Sequence, residues 1–160
     1  MPLRAGIGYD IHARAADRPL VLGGVRFEGE PGLAGHSDAD VLAHAIGDAL
    51  LGAIAHGDLG QHFPPGDPRW QGASSMELLR LIRAMVEGHG GRIVNVDATV
   101  VAAAPRLAPM RDAMRANVAQ ALKLAGSQVS VKATTNESLD ALGRGEGIAA
   151  WAVAMVELPE

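Results

Sequence analysis

The 160-residue sequence contains no cysteine. Disulfides are therefore excluded, and thiolate metal sites with them, so any metal must be held through nitrogen or oxygen. Aromatic side chains are nearly absent: two Trp, two Phe and one Tyr. That leaves no stacking platform for a single-stranded nucleic acid, and a net charge of −4 repels polyanions in general. No nucleic-acid partner is expected, and an anionic substrate would need local cations. No apolar run approaches the length of a membrane span, and no basic segment followed by an apolar one opens the chain. A cytoplasmic protein with no membrane partner is the expectation. What is plentiful is small and apolar: Ala, Val, Leu and Gly fill a core by letting helix and sheet approach closely. The length suits one domain over residues 1–160.

Leu3 to His12 alternates apolar and polar residues. As a strand it places Ile7, Tyr9 and Ile11 on one face and Gly8, Asp10 and His12 on the other. Pro19 to Phe27 reads as a second strand or hairpin around Gly23-Gly24, and Glu28 to His36 as a loop. Ser37 is a good N-cap for a helix whose buried stripe is Val41, Leu42, Ala45, Ile46, Ala49, Leu50, Ala53 and Ile54. Asp40, His44 and Asp48 form a polar line on that helix. Residues 57–72 make a long irregular segment with three prolines, of the kind that carries function. A capping box, Ser74 to Glu77, starts a helix to about Glu87. A strand follows from Arg92 to Ala103, then a turn and a helix from Pro109 to Leu124 capped by Gly126. A strand from Gln128 to Thr134 points Val129, Val131 and Ala133 inward. A helical turn at Asn136 to Leu142 precedes a last strand, Ile148 to Leu158. The order predicts an α/β (α+β sandwich) fold, a mixed β-sheet with helices on one face. The other face, lined by small apolar residues, is free to pack on a second copy.

Asp10 and His12, two apart on a strand, point the same way, and His44 offers a third ligand. One oxygen and two nitrogens with an open fourth position is the donor set of a catalytic zinc. Such an ion polarises a substrate oxygen as a Lewis acid. The ordinary alternative is that His44 hydrogen-bonds Asp40 or Asp48 and that Asp10 caps a loop. His36 and Ser37 at a helix start make either a phosphate site or a plain N-cap. Asp58 with Gly60 either holds sugar hydroxyls or forms a turn. Lys132, Thr134, Thr135, Asn136 and Glu137 end a strand, where α/β sheets commonly carry ligand contacts, although a solvated strand end needs no ligand. Glu137 suits a hard cation such as Mg²⁺. Arg144 and Glu146 share a face if extended and could pair across a symmetry axis. His56, His62 and His89 receive no role. No Ser-His-Asp triad, P-loop or dinucleotide fingerprint is present.

Several segments together resemble the 2-C-methyl-D-erythritol 2,4-cyclodiphosphate synthases of non-mevalonate isoprene biosynthesis. They are Gly8 to His12, His36 to Asp40 with His44 and Asp48, Gly57 to Gly60 with Phe63-Pro64, and Asn95 to Asp97. Ala104-Pro105, Lys132 to Glu137 and Gly143 to Gly147 complete the set, in the family's order from end to end. The resemblance implies a homotrimer with active sites between adjacent subunits. It implies Zn²⁺ (or another divalent transition metal) on Asp10, His12 and His44, and Mg²⁺ or Mn²⁺ on Glu137. His36 and Ser37 match residues at the substrate's phosphates and erythritol. Asp58, Leu59, Gly60, Phe63, Pro64, Pro65, Gly66 and Asp67 match its substrate loops. Ala102, Ala103, Ala104, Pro105, Arg106, Leu107 and Ala108 match the segment that reads cytosine, largely through backbone. Thr134, Thr135, Asn136 and Glu137 match the diphosphate-binding run, with Lys132 adding charge nearby. His36 and Thr135 fall where the family stabilises the transition state. Ala141 stands where many members have Phe, and Arg144 is kept near the trimer axis.

The implied reaction is that of a phosphorus–oxygen lyase. The 2-phosphate of 4-diphosphocytidyl-2-C-methyl-D-erythritol 2-phosphate attacks its own β-phosphorus, releasing CMP and closing the cyclic diphosphate. With a second phosphate pKa of about 6 the nucleophile is already ionised. Positioning and charge neutralisation, not a strong base, are what the protein must supply. Two alternatives carry over from the same residues: a zinc phosphohydrolase, and a non-catalytic trimeric binder of nucleotide or isoprenoid phosphates.

Overall fold

The computed structural model describes residues 1–160. Five strands form one sheet in the order β2-β1-β5-β3-β4: β1 Leu3–Leu22, β2 Val25–Leu33, β3 Arg92–Val101, β4 Val129–Thr134 and β5 Gly147–Glu157. Neighbours are antiparallel except β3 and β4, which are parallel. The helices are α1 Val41–Ala53, α2 Leu59–His62, α3 Ser75–Gly88, α4 Arg111–Leu122 and α5 Asp140–Gly143. The predicted mixed sheet is thus observed. Its covered face and α1, α3 and α4 share one apolar core, in which Leu42, Ile46, Leu50, Leu79, Ile82 and Met114 lose almost all exposure.

β1 is twice as long as expected. Leu3 to Ala13 pairs with β5, and Arg14 to Leu22 then pairs with β2, so one strand serves both halves of the sheet. The expected loop after Glu28 is therefore strand as far as Leu33. Its prolines are accommodated because Pro31 faces Pro19 at a break in register, where no regular ladder bond is needed. Gly23 and Gly24 make the hairpin turn, both with positive φ as a type I′ turn requires.

Three helix-end assignments change. The N-cap of α1 is Asp40, not Ser37: its carboxylate accepts from Ala43 N at 3.1 Å, and also from Gly23 N at 2.9 Å and Gly24 N at 2.8 Å. Asp40 thereby ties the β-hairpin turn to the helix start while fully buried. Burial and the neighbouring Asp38 push its carboxyl up to about 6, against those three N–H donors. The Ser74 hydroxyl makes no cap bond, so the capping box is not formed; the carboxylate of Asp38 receives Ser75 N instead, at 2.9 Å. Lys123, with φ 54°, ends α4 in place of Gly126, and Leu124 N reaches back to Ala119 O at 2.8 Å. On β4, Val129 and Val131 are buried, but Ala133 is exposed.

Close approach of helix and sheet places the site. A Cβ on Gly6 would lie 1.9 Å from Ala49 O, and one on Gly8 would lie 1.8 Å from Ala45 O. Only glycine lets α1 lie this close to β1. On the opposite face of the sheet Ile7, Tyr9, Ile11, Trp151 and Val153 are all at least 40% exposed, and the Tyr9 and Trp151 rings sit 4.8 Å apart.

Candidate metal centre and substrate cleft

β1 presents Asp10 and His12 on the face toward α1, and α1 presents His44 one helical turn after its cap. Asp10 Oδ2 lies 2.9 Å from His12 Nε2 and 3.0 Å from His44 Nδ1, and the two ring nitrogens are 3.4 Å apart. A tetrahedral zinc with ligands at 2.0–2.1 Å has edges of about 3.3 Å between them, so these three atoms already stand at coordination spacing. Their side chains are 24%, 20% and 14% exposed, a half-buried cup with one open side. Burial raises the Asp10 carboxyl, but hydrogen bonds with His12 and His44 outweigh it and hold it down at about 2. The same bond to Asp10 raises His12 despite its burial, and Ala34 supplies a backbone partner to the ring.

The alternative pairing of His44 with Asp40 or Asp48 is not observed. Asp40 is occupied by three backbone N–H groups, and Asp48 accepts from Leu59 N at 2.8 Å. Neither touches the imidazole. His44 Nε2 instead lies 2.9 Å from Ser75 Oγ and 3.1 Å from Ser37 Oγ. Among His, Cys, Asp and Glu side chains, Asp10, His12 and His44 are the one group of three spaced to hold an ion. His56, His62 and His89 also gather, with ring centroids 4.6 and 4.8 Å apart. His62 Nε2 bonds His56 O and His89 Nδ1 bonds Met85 O, and the three are not spaced to hold an ion.

The cup opens into a cavity of about 330 Å³ lined by Asp10, His12, His36, Ser37, His44, Leu59, Gly60, Phe63, Pro65, Trp70 and Leu78. The segment expected to be irregular supplies one wall. It contains α2, capped by Asp58 accepting from Gln61 N at 3.0 Å, and a 3₁₀ turn at Pro68–Trp70. Phe63 and Trp70 meet edge to face at 4.9 Å. Asp58 itself does not line the cavity, and Pro64 and Gly66 are exposed. Asp67 pairs with Arg69 at 2.7 Å.

Some of the remaining sequence-selected residues line a second, separate cavity of about 170 Å³. Ala102, Ala103, Pro105, Arg106, Leu107, Ala108, Arg111, Ala133, Thr134 and Thr135 line it. Arg14 of β1 holds the Ala104 carbonyl. Thr135 Oγ1 accepts from Glu137 N at 3.2 Å, and Asn136 Nδ2 donates to Asp140 at 3.0 Å. Glu137 and Ala141 do not line either cavity. Lys132 is directed away, to Asp97 at 2.6 Å. Arg144 pairs with Glu146 of its own chain at 2.7 Å.

Arg18, Asp38, Ser75, Trp70 and Leu78 were not legible as site residues. Arg18 clamps the Gly35 and Ser37 carbonyls and so shapes the turn that carries His36. Trp70 had a faint signal, an aromatic in a loop that also holds Phe63. Asp38 and Ser75 are distant in sequence, and their spacing gave none.

Fold and site define an α+β sandwich that carries an open three-ligand cation site between a strand and a helix. A model of the YgbB family matches residues 3–157, and the chain belongs to that family. It is 54% identical over 157 residues to the 2-C-methyl-D-erythritol 2,4-cyclodiphosphate synthase of Thermosynechococcus vestitus, covering 98% of each. The bifunctional IspDF from Campylobacter jejuni superposes with a TM-score of 0.94 at 39% identity; the match spans 99% of this chain but 43% of that one. The CDP complex of IspF from Plasmodium falciparum superposes at 0.85 with 32% identity, over 99% of this chain and 97% of that one.

Proposed function

We propose that the chain is a 2-C-methyl-D-erythritol 2,4-cyclodiphosphate synthase, acting as a single domain over residues 1–160. It converts 4-diphosphocytidyl-2-C-methyl-D-erythritol 2-phosphate to the cyclic diphosphate and CMP, a phosphorus–oxygen lyase reaction of isoprene biosynthesis. The observation that carries this reading is the convergence of Asp10, His12 and His44 at coordination spacing, in a chain similar over nearly its whole length to named synthases.

Asp10, His12 and His44 would hold Zn²⁺ or another divalent transition metal, and Glu137 would contribute to a Mg²⁺ or Mn²⁺ site. These cations supply neutralisation of diphosphate charge when bound. The chain's own residues position the substrate. His36 and Ser37 stand on the cavity wall where the attacking phosphate must lie, and Ser37 is held by Ala39 N at 3.3 Å. Leu59, Gly60, Phe63 and Trp70 close an apolar wall that excludes water, which favours internal attack over hydrolysis. In that attack a 2-phosphate oxygen bonds to the β-phosphorus and the bridging oxygen leaves with CMP. The Ala102 to Thr135 cavity suits a cytosine bound through backbone groups, and a relative's CDP complex supports a cytidine nucleotide as the ligand class. Thr135 then meets the diphosphate.

The two cavities share no lining residue. This supports a homotrimer in which each site takes one cavity from each of two subunits. The exposed apolar sheet face of Ile7, Tyr9, Ile11, Trp151 and Val153 is the surface that would be covered. No helix is long and apolar enough to cross a membrane, which fits the cytoplasmic location we assign. The test is incubation with the cytidyl substrate, Zn²⁺ and Mg²⁺. CMP and a cyclic product without ¹⁸O from labelled water are expected. A linear product carrying ¹⁸O would mean a phosphohydrolase, and no turnover with retained nucleotide binding would mean a binder.

A further inference from the structure

His44 is gripped on the side away from Asp10. Its Nε2 lies 2.9 Å from Ser75 Oγ, and Ser75 Oγ in turn contacts Asp38 Oδ1. The Asp38 carboxylate is already an acceptor on both oxygens: Oδ1 receives Asp40 N at 3.2 Å and Oδ2 receives Ser75 N at 2.9 Å. A serine hydroxyl has one hydrogen, and a carboxylate has none to give. Ser75 therefore donates to Asp38 and accepts from His44, which must carry its hydrogen on Nε2. In the neutral ring the lone pair is then left on Nδ1, the atom facing Asp10 and His12. Ser75 is 1% exposed, so water does not compete for these bonds.

The arrangement matters because the other tautomer has its own attraction. With its hydrogen on Nδ1, His44 would donate to Asp10 Oδ2, only 3.0 Å away. That bond would occupy two of the three cation ligands at once. An unconstrained His44 is thus drawn toward a closed, proton-filled site, and the Ser75–Asp38 pair opposes it. Ser37 gains a definite role as well. Its Oγ accepts from Ala39 N at 3.3 Å and lies 3.1 Å from the same His44 Nε2–H, so its own hydrogen remains to be donated into the cavity.

We propose that Ser75 and Asp38 are positioning residues that fix His44 as the Nε2–H tautomer and so keep Nδ1 open for a cation. This rests on reading Asp10, His12 and His44 as the metal site. The same carboxylate receives the first N–H of α3, so the junction of α1 and α3 and the tautomer of His44 depend on one side chain.

The experiment needs no turnover. In metal-free wild type at a pH that keeps the imidazole neutral, ¹⁵N spectra should show His44 protonated at Nε2 and bare at Nδ1. In Ser75→Ala the Nδ1–H form should gain population, and Zn²⁺ affinity, read by chelator competition, should fall about 10–100-fold, as when a metal-binding histidine loses the partner of its other ring nitrogen. Ser75→Thr, which keeps the hydroxyl, should restore both readouts. Asp38→Asn should act like Ser75→Ala, because an amide N–H facing Ser75 lets its hydroxyl turn to His44. Unchanged tautomer and affinity in folded Ser75→Ala would overturn the relay while leaving the metal site standing. A wild type that takes up no Zn²⁺ would overturn the metal reading beneath it.

Discussion

The cavity at Asp10, His12 and His44 and the cavity at Ala102 to Thr135 belong to one sheet but are built in different ways. In the first, β1 and α1 bring the three ligands together, and every ligand is held by a neighbour: Asp10 by both imidazoles, His12 by Ala34, His44 by Ser75. In the second, the wall is loop backbone and small side chains at the end of β4, and the nearby carboxylate of Glu137 lies outside the lining and is exposed. Glu137, Ser138 and Asp140 all take positive φ, at 51°, 62° and 55°, a conformation that costs non-glycine residues energy and is kept where a site requires it. Cation chemistry is therefore preorganised within one chain. On the proposed reading, nucleotide recognition falls to an open half that a neighbouring subunit would complete.

The comparison can be broken at its strong end first. His44→Ala removes one ligand from the preorganised cup, and CMP release should drop by about 10³-fold or more with loss of bound zinc by metal analysis. Wild-type turnover in a zinc-free variant would show that the cup does not carry the chemistry. Subunit mixing tests the open end. If each site draws His44 from one chain and Glu137 from its neighbour, then His44→Ala and Glu137→Ala proteins, each inactive, should regain about a quarter of wild-type activity on refolding together in equal amounts. No recovery would place both cavities' functions in one subunit.

Smaller effects sharpen the contrast. Asp58→Ala removes the cap of α2 and loosens the wall that carries Leu59 and Phe63. KM should rise about fivefold, in line with a lost cap of ~1 kcal/mol, while zinc stays stoichiometric. Zinc loss there would mean the loop holds the cup rather than the substrate. Asp40 gives the smallest and most indirect signal. Its carboxyl is raised to about 6 when folded, so the native state binds a proton more readily than the unfolded chain. The stability this contributes is present at low pH and is lost as pH rises from the ordinary carboxylate range to about 6. Denaturant titrations at about pH 4.5 and about pH 6.5, which roughly span that window, should show this fall in wild type and a flatter profile in Asp40→Asn.

Much of the preorganised half was legible because it rests on local rules. Alternation put Asp10 and His12 on one face, helical spacing put His44 on a line of its own, and the two glycines of β1 fitted a chain rich in small residues. What escaped notice is held by long-range bonds. Ser37 looked like a cap because its type and position were right, yet Asp40 takes that place since it alone also reaches the Gly23-Gly24 turn. The loop expectation for Glu28 to Leu33 failed because two prolines spaced twelve apart in sequence meet across a bulge. Lys132 shows the same limit: strand position fixed its face, but only the pairing of β3 with β4 reveals Asp97 as its partner.

The bare Cα atoms of Gly6 and Gly8 have a mechanical consequence. With the backbones of β1 and α1 in direct contact, no soft side chain lies between them to absorb sliding, and the strand and helix move as one rigid piece. Any closure around a ligand would then fall to residues 59–70, which form short turns rather than a long helix or strand. Amide exchange should register this division of labour, slow through Gly6 to Asp10 and Ala45 to Ala49 and fast across Leu59 to Trp70. The metal cup is the anvil of this enzyme, and the moving part is its wall.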